Sequence, residues 1–163
     1  MCKSGVTIAW INRIVICKMR EEVERRALFE TGGCLFGYWG PTSEAVVIGE
    51  YVGPGPNAKH ARFSFKPDSA WQKIQISRLY ASSGRLWTYL GDWHSHPGGS
   101  LTLSWRDRRT LFTIATFAPA RTPYPLMALI AGPPWKMRLW KAQKLKKISC
   151  SVSFSECELK EYE

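Results

Sequence analysis

Histidine is scarce in this chain of 163 residues: there are three, and two of them, His94 and His96, stand one residue apart. Cysteine is present but unpatterned. Cys2, Cys17, Cys34, Cys150 and Cys157 are odd in number and include no Cys-x-x-Cys pair, and Cys150 and Cys157 are poorly spaced for metal ligation. No apolar run approaches the roughly 20 residues that a bilayer crossing needs. The best stretch, Val6 to Cys17, is interrupted by Asn12 and Arg13, and no small-residue cleavage site follows it. A cytoplasmic protein with reduced thiols and no membrane association is expected. No internal repeat is present.

Acidic residues are also few, 13 against 23 Lys and Arg, for a formal net charge of +10. The imbalance is local. Residues 101–147 hold ten Lys and Arg with Asp107 as the one acid, whereas the last sixteen residues carry Glu156, Glu158, Glu161 and Glu163 against Lys160. A basic surface of this kind attracts nucleic acid or an acidic protein, or is simply a solvated face.

What is present describes an ordinary globular chain, 45% apolar and 22% charged, long enough for one domain and short for two. Residues 1–147 are expected to form that domain and 148–163 a C-terminal tail. Eight tryptophans suit a groove or partner surface, where an apolar body and one polar edge are both used. Residues 6–17 are rich in β-branched side chains and predict one or two strands, and 18–29 predict a helix with Met19, Val23 and Ala27 four apart. Strands are expected over 45–52, 62–66, 86–96, 124–131 and 135–141, and helices after Pro67 and over 103–117. The alternation predicts an α/β fold, a mixed β-sheet flanked by helices.

The chemistry concentrates in His94-Ser95-His96-Pro97-Gly98-Gly99-Ser100-Leu101-Thr102-Leu103-Ser104-Trp105-Arg106-Asp107. Residues two apart on a strand share a face, so His94 and His96 can converge, and residues three apart on a helix do likewise, so Ser104 and Asp107 can. Pro97 to Ser100 is turn chemistry between the two. Each pair alone has a plain structural reading: Ser-x-x-Asp caps a helix, and His-x-His decorates a solvent face. Together, two imidazoles and one carboxylate are a common three-ligand set for catalytic zinc. Asp92 lies on the histidine face and rivals Asp107 as third ligand; spacing leaves both open. Cys34 is expected in the core, His60 in an exposed loop, and Ser95 on the opposite strand face from the histidines.

These residues resemble the JAMM (MPN-plus) metalloprotease family. His94-x-His96-Pro97, seven residues from Pro97 to Leu103, and then Ser104-x-x-Asp107 match its motif without a gap, and Glu30-Thr31-Gly32-Gly33-Cys34-Leu35-Phe36-Gly37 matches its upstream segment after the first long helix. The resemblance spans roughly residues 6–141. It implies a single MPN/JAMM domain in which His94, His96 and Asp107, rather than Asp92, bind Zn²⁺, Glu30 acts as general acid/base and Ser104 stabilises the oxyanion. It further implies hydrolysis of a peptide or isopeptide bond after an extended C-terminal peptide, as in ubiquitin-like deconjugation. The flavour of Tyr89 to Pro97 is that of compact prokaryotic members. Some of these accompany E1/E2-like conjugation enzymes in anti-phage operons and act on CD-NTase conjugates. The competing class is a basic nucleic-acid or protein-binding module with a structural zinc site. Nucleic acid is the less expected partner, because every motif position of the protease is present.

Overall fold

The computed structural model describes residues 5–145 and 151–163. In chain order the elements are β1 (Ile8–Asn12), α1 (Arg13–Arg26), β2 (Gly32–Trp39), β3 (Ala45–Val52), β4 (Lys59–His60), β5 (Phe65–Lys66), α2 (Ser69–Ser82), β6 (Thr88–Pro97), α3 (Trp105–Thr116), β7 (Leu126–Gly132), β8 (Lys136–Lys144), β9 (Val152–Glu156) and β10 (Glu158–Tyr162). Eight strands form one curled mixed sheet in the order β10-β1-β3-β2-β6-β7-β8-β9, and β4 and β5 form a separate pair. The expected α/β class and helix-flanked mixed sheet are what the molecule has.

Helix α1 begins one turn earlier than expected. Arg13 to Cys17, read as strand from their β-branched content, are helical because Asn12 caps them, accepting from the Ile14 amide at 2.8 Å. Val15, Met19 and Val23 then follow at four-residue spacing, each at most 1% exposed. They pack with Ala9, Ile11, Val46, Ile48, Leu90 and Trp93 into the main core on one face of the sheet. Burying each such side chain contributes about 1.5–3 kcal/mol, enough to override a few tenths of unfavourable propensity. On the other face Leu111 of α3 meets Leu103, Met127 and Leu129. Strand β7 therefore serves both cores: Leu126, Ala128 and Ile130 face one, and Met127 and Leu129 the other. That two-sided burial explains its unbroken apolar sequence.

Residues 151–163 do not trail the domain as a tail. β9 pairs antiparallel with β8, and β10 pairs parallel with β1, placing Ile8 opposite Glu158. Between them Cys157 is buried, its amide donating to the Leu139 carbonyl at 2.8 Å. One segment thus straps both ends of the sheet. Residues 152–162 mix apolar Val152, Phe154, Cys157, Leu159 and Tyr162 with serines and charged residues, as in strands with one buried face. Lys146, Lys147 and Cys150 lie outside the described residues.

Candidate metal centre and active-site cleft

Strand β6 runs antiparallel to β2 and parallel to β7, so its C-terminal end is fixed from both sides. Its alternation sends Trp93 into the main core and turns Asp92, His94 and His96 to the α3 side. After the turn at Gly98, Ser104 starts α3 with a capping box. Its hydroxyl accepts from the Asp107 amide at 3.2 Å, while Asp107 Oδ2 accepts from the Ser104 amide at 2.7 Å. The capping reading and the site reading of Ser104 and Asp107 therefore hold together. The box sets the carboxylate's rotamer, and the Ser104 O–H remains free to donate.

The ligating atoms of His94, His96 and Asp107 all lie within 4.8 Å of one another. The two Nε2 atoms are 2.8 Å apart, and Asp107 Oδ1 is 3.0 Å from His94 Nε2. His96 Nδ1 is 2.9 Å from the Ser100 carbonyl oxygen. A carbonyl only accepts, so Nδ1 carries the proton and Nε2 presents a bare lone pair to the centre, the tautomer a metal requires. Burial alone would raise the Asp107 carboxyl, but the hydrogen bond and charge of His94 and the two Ser104 contacts outweigh it and hold it at about 2. An ionised carboxylate and two imidazole nitrogens at one point fit a divalent cation. Asp92 stands apart: its carboxylate accepts from the Tyr89 hydroxyl at 2.8 Å, and burial raises its pKa.

These groups border a cleft of about 580 Å³ that Glu30, Phe63, Ser64, Phe65, Ser104 and Trp105 also line. Arg106 spans the mouth, donating to the Phe63 carbonyl at 3.3 Å. Burial raises the Glu30 carboxyl above its ordinary value; His94 and His96 oppose this, Asp107 adds to it and Arg106 opposes it. The sequence thus brought all five expected residues, Glu30, His94, His96, Ser104 and Asp107, to one cleft. Glu50 does not line this cleft; its carboxylate is 3.7 Å from Lys18 Nζ.

Gly32 and Gly33 work by close approach. A Cβ on Gly32 would collide with the Trp93 carbonyl, and one on Gly33 with the Val52 carbonyl. Pairing is regular at both, since the register shifts of β2 fall between Leu35 and Gly37. His60 is not an exposed loop histidine. It is half-buried, with Nδ1 donating to the Glu30 carbonyl at 2.9 Å. Nothing in the Gly- and Pro-rich sequence around it signals that contact, because the local β4–β5 hairpin is fastened to a residue 30 positions away, the Glu30 amide also donating to the Ala61 carbonyl at 2.9 Å. Cys34 is 7% exposed, its thiol 3.8 Å from Gln72 Oε1 and pushed up by burial, as a core cysteine would be.

The family model described as prokaryotic homologs of the JAB domain matches residues 13–143. The chain belongs to the prokaryotic JAB family. This JAB domain is 40% identical over 139 residues to the probable metalloprotease y4qB of Sinorhizobium fredii, covering 83% of this chain and 84% of that one. It is 28% identical over 124 residues to the CD-NTase/cGAS isopeptidase of Enterobacter hormaechei, covering 76% of this chain and 67% of that protein. The solution structure of protein DSY2949 from Desulfitobacterium hafniense shares the fold, with a TM-score of 0.65, 17% identity and 94% of both chains covered. The JAB domain is thereby placed among JAMM-type metal-dependent hydrolases. No helix among the described residues is long and apolar enough to cross a membrane.

Proposed function

We propose that the protein is a zinc-dependent isopeptidase that releases a protein joined through its extended C-terminal peptide. The observation that carries this reading is the convergence of His94, His96 and Asp107 in the cleft that also holds Glu30. His94, His96 and Asp107 would hold the ion. Bound zinc supplies Lewis acidity and brings the pKa of water to about 7.

The chain's own groups complete the reaction. Glu30 takes a proton from the attacking water as its oxygen bonds to the carbonyl carbon, and returns it to the departing nitrogen as the C–N bond breaks. The Ser104 hydroxyl donates to the carbonyl oxygen as negative charge develops there. No covalent enzyme intermediate forms. The raised Glu30 pKa suits a group that must both accept and release a proton.

The substrate peptide lies extended along the cleft wall. Phe63, Ser64 and Phe65 line it, and β5 pairs with β4 alone among the described residues, so strand addition is open to a bound peptide. Exposed Trp105 and Arg106 favour an acidic partner at the mouth, and the basic segment 101–147 steers its approach. The similarity to the E. hormaechei CD-NTase/cGAS isopeptidase supports a CD-NTase conjugate as substrate, with a ubiquitin-like conjugate as the wider class. E1/E2-like enzymes in the same cytoplasmic pathway and a role in anti-phage defence complete the reading.

The test uses a reporter joined to a protein's C-terminus, with products mapped by mass. One cut just after the last residue of the C-terminal peptide is expected, abolished by metal chelation and reduced about 10²- to 10⁴-fold in Glu30→Gln, which still binds zinc. Raising salt should raise KM and leave kcat nearly unchanged. Cuts scattered through internal loops would defeat the isopeptidase assignment.

A further inference from the structure

Glu30 itself is held by the residue that follows it. Thr31 is fully buried, and its amide, carbonyl and hydroxyl are all hydrogen-bonded. Its amide donates to Ser95 Oγ at 3.0 Å, and its carbonyl accepts from the Ser95 amide at 2.8 Å. Its hydroxyl donates to Glu22 Oε1 at 3.1 Å. Ser95 is likewise fully buried, between the two histidines on the opposite face of β6, and Glu22 of α1 is 6% exposed. Glu22 is in turn neutralised by Arg25 at 3.0 Å and Arg26 at 3.1 Å.

A buried carboxylate is costly unless it is paired and hydrogen-bonded. Here the two arginines do the pairing, and Thr31 takes up acceptor capacity that they leave. The route from α1 to β6 therefore passes through the one residue between Glu30 and Gly32. It joins the segment that carries the acid/base group to the strand that carries two metal-binding groups. Local capping would not need a partner 64 residues away.

We propose that Glu22, Thr31 and Ser95 form a positioning relay that fixes Glu30 at reacting distance from the His94/His96 strand. The relay rests on the assignment of Glu30 as general acid/base. It does not touch substrate; it sets where the Glu30 carboxylate stands, and misplacement by about 1 Å can cost on the order of 10²-fold in rate. Thr31→Val keeps the side chain's shape and removes the hydroxyl donor, whereas Thr31→Ser keeps the donor.

The experiment measures kcat, KM, bound zinc and melting temperature of the full chain on the C-terminal reporter fusion, with Glu30→Gln alongside. Thr31→Val is expected to lose about 10- to 100-fold in kcat with KM within about twofold and zinc stoichiometry unchanged, and Thr31→Ser to recover most of the loss. Ser95→Ala provides a second arm that does not depend on Thr31→Val folding. It should lower kcat in the same way and speed hydrogen exchange at the Thr31 amide by about tenfold or more, that being the expected reading of one lost protecting bond. Wild-type kcat in a folded Thr31→Val, or wild-type Thr31 exchange in Ser95→Ala, overturns the relay while an inactive Glu30→Gln leaves the acid/base assignment standing. Full turnover by Glu30→Gln overturns the assignment itself, and the relay with it.

Discussion

Two clefts of about 580 Å³ each indent this molecule, and their charges are arranged in opposite ways. In the cleft lined by Lys18, Glu22, Arg25, Arg26 and Glu50, each carboxylate meets a cation of the chain: Lys18 approaches Glu50, and Arg25 and Arg26 hold Glu22. In the other, Glu30, Asp92 and Asp107 share the walls with two imidazoles and a single arginine, and that arginine is bonded to a carbonyl. Among the described residues, no Lys or Arg pairs with those three carboxylates. Cavity size says nothing here. A cleft that carries its own cations is finished, whereas one whose acceptors converge without a cation is built to receive one.

The contrast can be broken most severely at the converging donors. His96→Ala should abolish stoichiometric zinc binding and with it cleavage, read by metal analysis of the purified protein. Asp92→Ala should keep the zinc, because that carboxylate is turned to Tyr89. Loss of metal in Asp92→Ala together with its retention in Asp107→Ala would reverse the ligand set.

A smaller effect is expected in the metal-free protein as pH falls. The Asp107 carboxyl is held at about 2, below its unfolded value of 3.8, so the ionised form stabilises the fold. That contribution is complete above about pH 4 and disappears as pH drops through about 2. Metal-free Asp107→Asn should therefore melt below the wild type near neutrality, with the gap closing on acidification. A gap that stays constant from pH 6 to pH 2.5 would show that the carboxylate's charge is not what stabilises the α3 start.

Glu50 of the second cleft, which lies outside the Glu22–Thr31–Ser95 relay, should answer weakly. Glu50→Gln removes a partly exposed ion pair with Lys18, worth about 0–1 kcal/mol. Turnover within about twofold of wild type is expected, and a large loss of activity would end the distinction between the clefts.

The site was more legible than the fold around it. His94, His96, Ser104 and Asp107 lie within fourteen residues, so strand and helix periodicity were enough to converge them once a turn was placed at Gly98. Glu30 is distant in sequence, and it was found through the similarity of Glu30 to Gly37 to a known pattern, not through local physics. Strand β3 ends where its apolar alternation ends, because nothing tertiary overrides it. Arg13 to Cys17 show the opposite: one asparagine cap and the burial of Val15 turn a β-rich segment helical. His60 and the β9–β10 strap were out of reach for a common reason. Their environment comes from residues far along the chain, Glu30 in one case and, for β10, Ile8 in the other.

The strap also fixes when the molecule can become whole. Ile8 finds Glu158 across 150 positions, one of the longest separations the described chain contains, and such pairings are slow because loop closure must precede their reward. β10 is made after every strand it closes against, so during synthesis β1 waits with an open edge and β8 waits with another. Unpaired edges recruit other strands. Weaker expression, which keeps chains with open edges dilute, should therefore raise the yield of monomer more through this last fastening than through any contact in the cleft.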